Sequence, residues 1–322
     1  MNWADKIFKT HSRSEFKDLA FDVFNYQINH CEVYSNYVYA IGKTNPNSLN
    51  DIPFLPISFF KSKRVISNQF DHIECFFKSS GTLGERSCHE LVDVSIYEQS
   101  FEWSYAHFVG NIKEHVILGL LPNYIEQGNS SLVYMVDALI KKSGSPSSQF
   151  IMNDIEEIKR VIAETKTCNK TLVIFGVAYS LLDLCDQGIN LKNAIVIETG
   201  GMKGKRKELS KEGLHQKLHQ DLQMSELYSE YGMTELLSQA YCKSDFIFET
   251  PPWMKIVIRD LYDPLSICAE NKRGGINVID LANIYSCSFI ATEDSGLRIE
   301  NTFQLKGRIE RSDLRGCNLL VD

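Results

Sequence analysis

TLVIFGVAYSLLDLCDQGINLKNAIVIETGG, residues 171–201, decides the fold class. TLVIFGV reads as a buried strand, YSLLDLCDQG as a helix and NAIVIETGG as the next strand. A strand, a helix and a second strand in this order make parallel neighbours. The pattern extends toward the N-terminus. HVILGLLP, from His115, reads as a strand. SSLVYMVDALIKKSG is a helix closed by Lys and Gly, and MNDIEEIKRVIAE is another. Repeated alternation predicts a mainly parallel sheet covered on both faces, an α/β fold whose ligands bind at the carboxyl ends of strands. Three loops are expected there, at 79–84, 176–179 and 200–204.

Further out, residues 12–30 place Phe16, Leu19, Ala20, Val23, Phe24 and Ile28 at helical spacing behind a Ser cap. DIPFLPISFF (51–60) carries two prolines and reads as buried extended chain rather than helix. HIECFF (72–77) is a strand, and the aromatic-rich stretch 95–110 is a helix. The aromatics of 101–108 would either line a pocket or pack the core. Beyond residue 245, MKIVIRD, GGINVIDL and CSFIATED are short β-like runs that imply a smaller β-rich subregion. The basic run 203–220 opens into a helix that either faces solvent or contacts an anion. The expected organisation is one large domain over 1–322. A helical extension covers about 1–50, an α/β core about 51–245, and a β-rich part about 246–322.

Bulk composition narrows the function. Of 322 residues, 43% are hydrophobic and 23% charged, ordinary for a globular protein with a real core. A formal net charge of −7 argues against nucleic acid or an anionic membrane as a partner engaged through bulk charge. The nine cysteines form no Cys-x-x-Cys pair, against a zinc site of the usual spacing. Their odd number suggests reduced thiols in a cytoplasm. The start is too polar for a signal peptide, and no apolar run approaches the roughly 18 residues of a bilayer span.

Three stretches carry chemistry. FFKSSGTLGERSCHE (76–90) runs from an apolar strand into Ser79, Ser80, Gly81, Thr82 and Gly84. Consecutive N–H groups in such a turn form a nest for an anion, and glycines let the chain approach closely. The loop is not the common Gly-x-x-x-x-Gly-Lys-Ser/Thr nucleotide loop. By itself it reads equally as a tight structural turn. LYSEYGMTELLSQAY (227–241) places Tyr231, Gly232, Thr234 and Glu235 within five positions. These offer a stacking ring, a flexible backbone, a hydroxyl for phosphate and a carboxylate for Mg²⁺. Alternatively Glu235 sits in the first turn of a helix. ATEDSG (291–296) and LKGRIERSDLRGC (305–317) supply Asp294 and Arg308 for a ribose, though each alone reads as a turn.

In this order the pieces resemble the signatures of the adenylate-forming enzymes. KSSGTLGERSCH, IETGGMKGKRKELS and YGMTELLSQAY resemble one branch of them, the LuxE-type acyl-protein synthetases of bacterial luminescence, with relatives in phenazine biosynthesis. The resemblance runs from about residue 52 to the C-terminus. It implies the large N-terminal domain of that superfamily, with the small mobile C-terminal domain truncated or absent. It implies a ligase that uses ATP and Mg²⁺ to turn a fatty or aryl acid into an acyl-adenylate, releasing pyrophosphate. The acyl group then passes to a thiol on the enzyme or on a partner such as a reductase subunit. A CoA ligase and a degenerate nucleotide-binding scaffold are the rival readings.

By the same resemblance, Ser79, Ser80, Gly81, Thr82 and Gly84 wrap the β- and γ-phosphates. Thr234 contacts the α-phosphate and Glu235 holds Mg²⁺. Gly200 and Gly201 pass flat against adenine near Tyr231 and Gly232, and Asp294 and Arg308 grip the ribose. Gly176, Val177 and Tyr179 border the acyl pocket. Cys317, in RGCNLLVD, is the candidate acyl carrier, with Arg311 and Arg315 to lower its pKa; otherwise it is a half-buried thiol of a terminal strand. The other eight cysteines are expected mostly in the core. The chain departs from the superfamily pattern at Leu83, where a second Thr is usual, and at Glu293, where Gly is usual. Arg86 is the candidate replacement for the usual loop lysine. Lys203, Lys205 and Arg206 are candidates for the lysine of the mobile domain.

Overall fold

Ser12 accepts a hydrogen bond from the Glu15 N–H, and Glu15 returns one to the Ser12 N–H, a capping box that starts the helix Arg13–His30. The computed structural model describes residues 2–10, 12–80, 86–122, 125, 128–152, 154–200, 209–243 and 245–309. The helix buries Phe16, Leu19, Ala20, Val23 and Phe24, as the spacing predicts, and also Gln27. The Gln27 amide donates to the carbonyls of Asn283 and Ile284, and its oxygen accepts the Ser288 N–H. A buried polar side chain thereby ties the N-terminal helices to the C-terminal part.

The 51–60 segment is only partly extended. It contributes β1 (Leu55–Pro56), but Phe59 and Phe60 already belong to a short helix, Phe59–Ser62. Next come β2 (Cys75–Lys78) and β3 (Cys88–Leu91), which among the described strands pair only with each other, antiparallel. Ser79 and Ser80, the described start of the 79–84 loop, therefore follow a strand of this pair and not a strand of the parallel sheet.

That sheet is built from β4 (His115–Leu120), β5 (Gln149–Phe150), β6 (Thr171–Gly176), β7 (Ile195–Glu198), β8 (Glu226–Tyr231) and β9 (Ala240–Lys243). The order is β5-β4-β6-β7-β8-β9, parallel except for β9. Every residue of β4 and of β7 is buried, as in a sheet covered on both faces. Alternate side chains feed two cores. Ile117, Val173, Phe175 and Ile197 join one, while Val116, Leu118, Ile174 and Val196 join the other. Helices Ile155–Thr167, Ala178–Asp186 and Lys211–Leu222 pack the second core through Val161, Leu181 and Leu218. Helices Val94–Phe108 and Ser131–Ser143 pack the first. Phe101 and Tyr105 are fully buried, so the aromatic stretch 101–108 is core rather than pocket wall.

The β-rich part forms a second sheet from β10 (Ile247–Phe248), β11 (Met254–Arg259), β12 (Gly274–Asp280), β13 (Phe289–Ile299) and β14 (Thr302–Arg308). Its order is β10-β14-β13-β12-β11, and β1 adds in parallel against β13. The first core joins the two sheets. Of the eight described cysteines, Cys31, Cys185, Cys242 and Cys287 are buried; the other four are partly or fully exposed, so only half belong to the core. Among the described residues no helix is long and apolar enough to cross a membrane.

Candidate functional site

A cavity of about 640 Å³ opens where the carboxyl ends of β7 and β8 face the β2–β3 hairpin and the end of the β13–β14 pair. Its centre is the β8-to-β9 connection, residues 232–239. This is a loop, so Glu235 does not begin a helix. Side chains from elsewhere fix it. Asp280 accepts the N–H groups of Leu237 and Ser238 and the Ser238 hydroxyl, and Trp253 Nε1 donates to that hydroxyl. Asn283 donates to the Glu235 carbonyl at 2.8 Å. His89 Nδ1 meets the Thr234 carbonyl at 2.9 Å, and Nε2 meets the Ser286 hydroxyl at 2.9 Å. Burial holds the His89 imidazole neutral, with its pKa pushed down to about 4. A carbonyl can only accept, so Nδ1 carries the proton and Nε2 takes the Ser286 O–H.

Thr234 and Glu235 thus face the cavity from a braced backbone. Glu235 is 5% exposed, and burial raises its carboxyl pKa against the lowering pull of Ser87, Lys61 and Arg308. Ser79 and Ser80 line the same end. The Ser79 hydroxyl accepts the Ser87 N–H at 2.9 Å, which sets the mouth of the hairpin. Gly81, Thr82, Leu83 and Gly84 lie outside the described residues. Arg86 does not supply the loop's positive charge to the cavity. Its guanidinium donates to the Ser79 and Lys78 carbonyls. Lys61 and Lys78 line the cavity instead. Neither stood out in the sequence, since single lysines carry no spacing signal.

Asp294 and Arg308 are direct cross-strand partners in β13 and β14, beside an irregularity between Asp294 and Gly296. Arg308 Nε lies 3.6 Å from Asp294 Oδ1, and the Tyr231 hydroxyl donates to Asp294 Oδ2 at 3.0 Å. The Asp294 N–H donates to the Thr292 hydroxyl, whose carbonyl in turn accepts from buried Arg259. Burial raises the Asp294 pKa, and Arg308 opposes that rise. Tyr231 packs edge-on against Phe248 and Phe303, so its ring is set before any ligand arrives.

Gly200 has φ +129°, a backbone form that side chains disfavour, and its N–H donates to Glu198 at 3.1 Å. Glu198, 2% exposed, also accepts the Ser229 hydroxyl and pairs with Lys211 at 3.5 Å. Lys211 lines the cavity, so the basic run places one cation at the site rather than in open solvent. Gly201, Lys203, Lys205 and Arg206 lie outside the described residues, as do Arg311, Arg315 and Cys317.

Of the 176–179 loop, Ala178 lines the cavity, while Gly176, Val177 and Tyr179 are buried behind it. A Cβ on Gly176 would meet Leu181 at 2.5 Å, so that glycine serves helix-on-strand packing. Tyr97, Leu132, Met135, Glu230 and Gln239 also line the wall, and the sequence singled out none of them. Burial separates them from surface residues of the same type, and burial is not visible in one sequence.

The sequence profile of the family described as "Acyl-protein synthetase, LuxE" matches residues 8–322. A long-chain-fatty-acid–luciferin-component ligase of Vibrio harveyi is 23% identical, over 84% of this chain and 77% of the relative. Its counterpart from Aliivibrio fischeri is 24% identical, over 95% and 88%. ATP-bound MatB from Rhodopseudomonas palustris superposes with a TM-score of 0.55 at 14% identity, covering 74% of this chain and 48% of that one. The o-succinylbenzoate CoA synthetase MenE from Bacillus subtilis, with ATP and magnesium, gives 0.54 at 16%, over 76% and 51%. The chain spans about half the length of these solved structures. The fold is that of the large domain of adenylate-forming enzymes, as the ordered motifs imply.

Proposed function

The chain belongs to the acyl-protein synthetase (LuxE) family, and from that premise we propose that it activates a carboxylic acid with ATP and passes the acyl group to a protein thiol. A carboxylate oxygen bonds to the α-phosphorus as the bond to the β-phosphate bridge breaks, and pyrophosphate leaves. A thiolate then bonds to the acyl carbon, and AMP leaves with the electron pair of the carbon–oxygen bond. The observation that carries this reading is the meeting of Ser79, Ser80, Thr234, Glu235, Asp294 and Arg308 around one cavity.

Each residue has a defined task. Asp294, oriented by Tyr231, would accept the ribose hydroxyls, with Arg308 beside it. The Gly200 backbone would pass along the adenine. Ser79 and Ser80, with Lys61 and Lys78, would receive the phosphates that depart. Gly81, Thr82 and Gly84 would complete that loop. Thr234 would donate to the α-phosphate from a carbonyl-braced loop, which holds the donor where charge builds. Glu235 offers the single hard carboxylate that Mg²⁺ takes when phosphates complete its shell, and it would hold the ion. When bound, that ion neutralises phosphate charge. Cys317 would carry the acyl group, or a partner such as a reductase subunit would accept it. The eight described cysteines are free thiols, which supports a reducing, cytoplasmic setting.

The test is acid-dependent exchange of labelled pyrophosphate into ATP over a panel of fatty and aryl acids. Exchange with one class, lost in Glu235→Ala, supports the reading. Labelled acid should then appear on a protein band; turnover with free CoA alone would make the chain a CoA ligase. Nucleotide binding with no exchange for any acid would refute the adenylation step.

A further inference from the structure

Two hydrogen-bond acceptors stand on one wall of the cavity, where an alkyl chain would leave both unanswered. Gln239 is 4% exposed, and its Oε1 is buried with no hydrogen bond among the described residues. Glu230 precedes Tyr231 on β8 and lines the same wall, and among the described residues no hydrogen bond reaches its carboxyl. Both press on Gly232: a Cβ there would lie 2.3 Å from Glu230 Oε1 and 3.3 Å from Gln239 Cγ. A glycine at 232 leaves the space that the Glu230 side chain fills. Leu132, Met135 and Ala178 supply apolar wall around them. An acceptor buried without a partner, as Gln239 Oε1 is, is costly, and half-buried Glu230 stands beside it against Gly232; a native pocket keeps such a pair for a ligand that answers it.

We propose that the acid taken by this site carries a hydrogen-bond donor on its chain, a hydroxyl or an amine, which Glu230 and Gln239 read. The proposal rests on the adenylation reading above and names its substrate class. Burial, with Glu198 nearby, pushes the Glu230 carboxyl up to about 8, so it is mostly protonated at neutrality. A protonated carboxyl both gives to and accepts from a hydroxyl. A cationic amine would instead favour the ionised form. Ionised, the carboxyl still accepts from a hydroxyl, through a charge-assisted bond.

The experiment is pyrophosphate exchange with acids of matched length, either unsubstituted, hydroxylated or aminated, from pH 6.5 to 9. In the wild type the donor-bearing acid should exceed its unsubstituted match in kcat/KM by about 10–100-fold. Glu230→Leu and, independently, Gln239→Leu should shrink that ratio toward one by improving the unsubstituted acid. The donor-bearing acid with the larger ratio over its unsubstituted match, hydroxylated or aminated, names the donor. A wild type that favours the unsubstituted chain, or a ratio unchanged in both variants, overturns the proposal. Wild-type exchange with no acid at all would overturn the adenylation reading, and this proposal with it.

Discussion

Replacing His89 with glutamine should remove a defined part of the acid sensitivity of folding. The imidazole bridges the Thr234 carbonyl and the Ser286 hydroxyl, and burial lowers its pKa from 6.5 to about 4. Between those values the unfolded chain binds a proton that the folded chain refuses. Stability from this group is therefore complete above pH 6.5 and is lost as pH falls toward 4. At about 1.36 kcal/mol per pH unit, the limiting loss is about 3 kcal/mol, of which about 2 kcal/mol has gone by pH 5. Asp280 works in the opposite sense. Burial raises its pKa from 3.8 to about 6, so its folded form binds the extra proton and its contribution falls as pH rises through that window. The difference between wild type and His89→Gln cancels Asp280 and isolates His89, because glutamine can donate and accept without titrating. Urea unfolding at pH 5, 6 and 7 measures it. The stability advantage of the wild type should shrink by about 2 kcal/mol from pH 7 to pH 5. Parallel pH profiles for the two proteins would refute the buried, neutral imidazole. His89→Ala, which leaves the Thr234 carbonyl and Ser286 hydroxyl without partners, should cost about 1–3 kcal/mol at pH 7.

Other expectations are more direct. Asp294→Asn should raise the KM for ATP by about 10-fold or more while leaving the ranking of acids unchanged, measured by exchange at varied ATP. Lys61→Ala and Lys78→Ala should each weaken ATP binding in calorimetry, and Arg86→Ala should weaken it less, because its guanidinium is spent on the Ser79 and Lys78 carbonyls; the reverse order would return Arg86 to the phosphate site. Cys317→Ser should abolish acyl labelling of the chain yet preserve pyrophosphate exchange, and retained thioester label would move the carrier to another thiol.

Local pattern carried much of the architecture. The β6–helix–β7 unit, the Ser130-capped helix Ser131–Ser143 and the face of Arg13–His30 all follow from periodicity and caps over short spans. Thr234 with Glu235, and Ser79 with Ser80, were legible because the chemistry needs contiguous residues on one short loop. Where local spacing admitted two answers, distant partners chose. Glu235 lies in a loop where His89 takes the Thr234 carbonyl, Asp280 the Ser238 N–H and Asn283 the Glu235 carbonyl, groups that a helix beginning there would pair internally. Val177 and Tyr179 turn into the core and leave Ala178 on the wall.

The amino-acid sequence by itself determined the α/β class, the order of the motifs and the family. Only the tertiary structure decided that Asp294 faces Arg308, that His89 braces Thr234, and that Glu230 stands with Gln239 on the cavity wall. The reason is physical. Helix and strand periods are written within a few residues. Cross-strand register and burial arise from contacts between segments far apart in the chain, and a one-residue slip would send the strand side chains His89, Glu230, Asp294 and Arg308 to the opposite face.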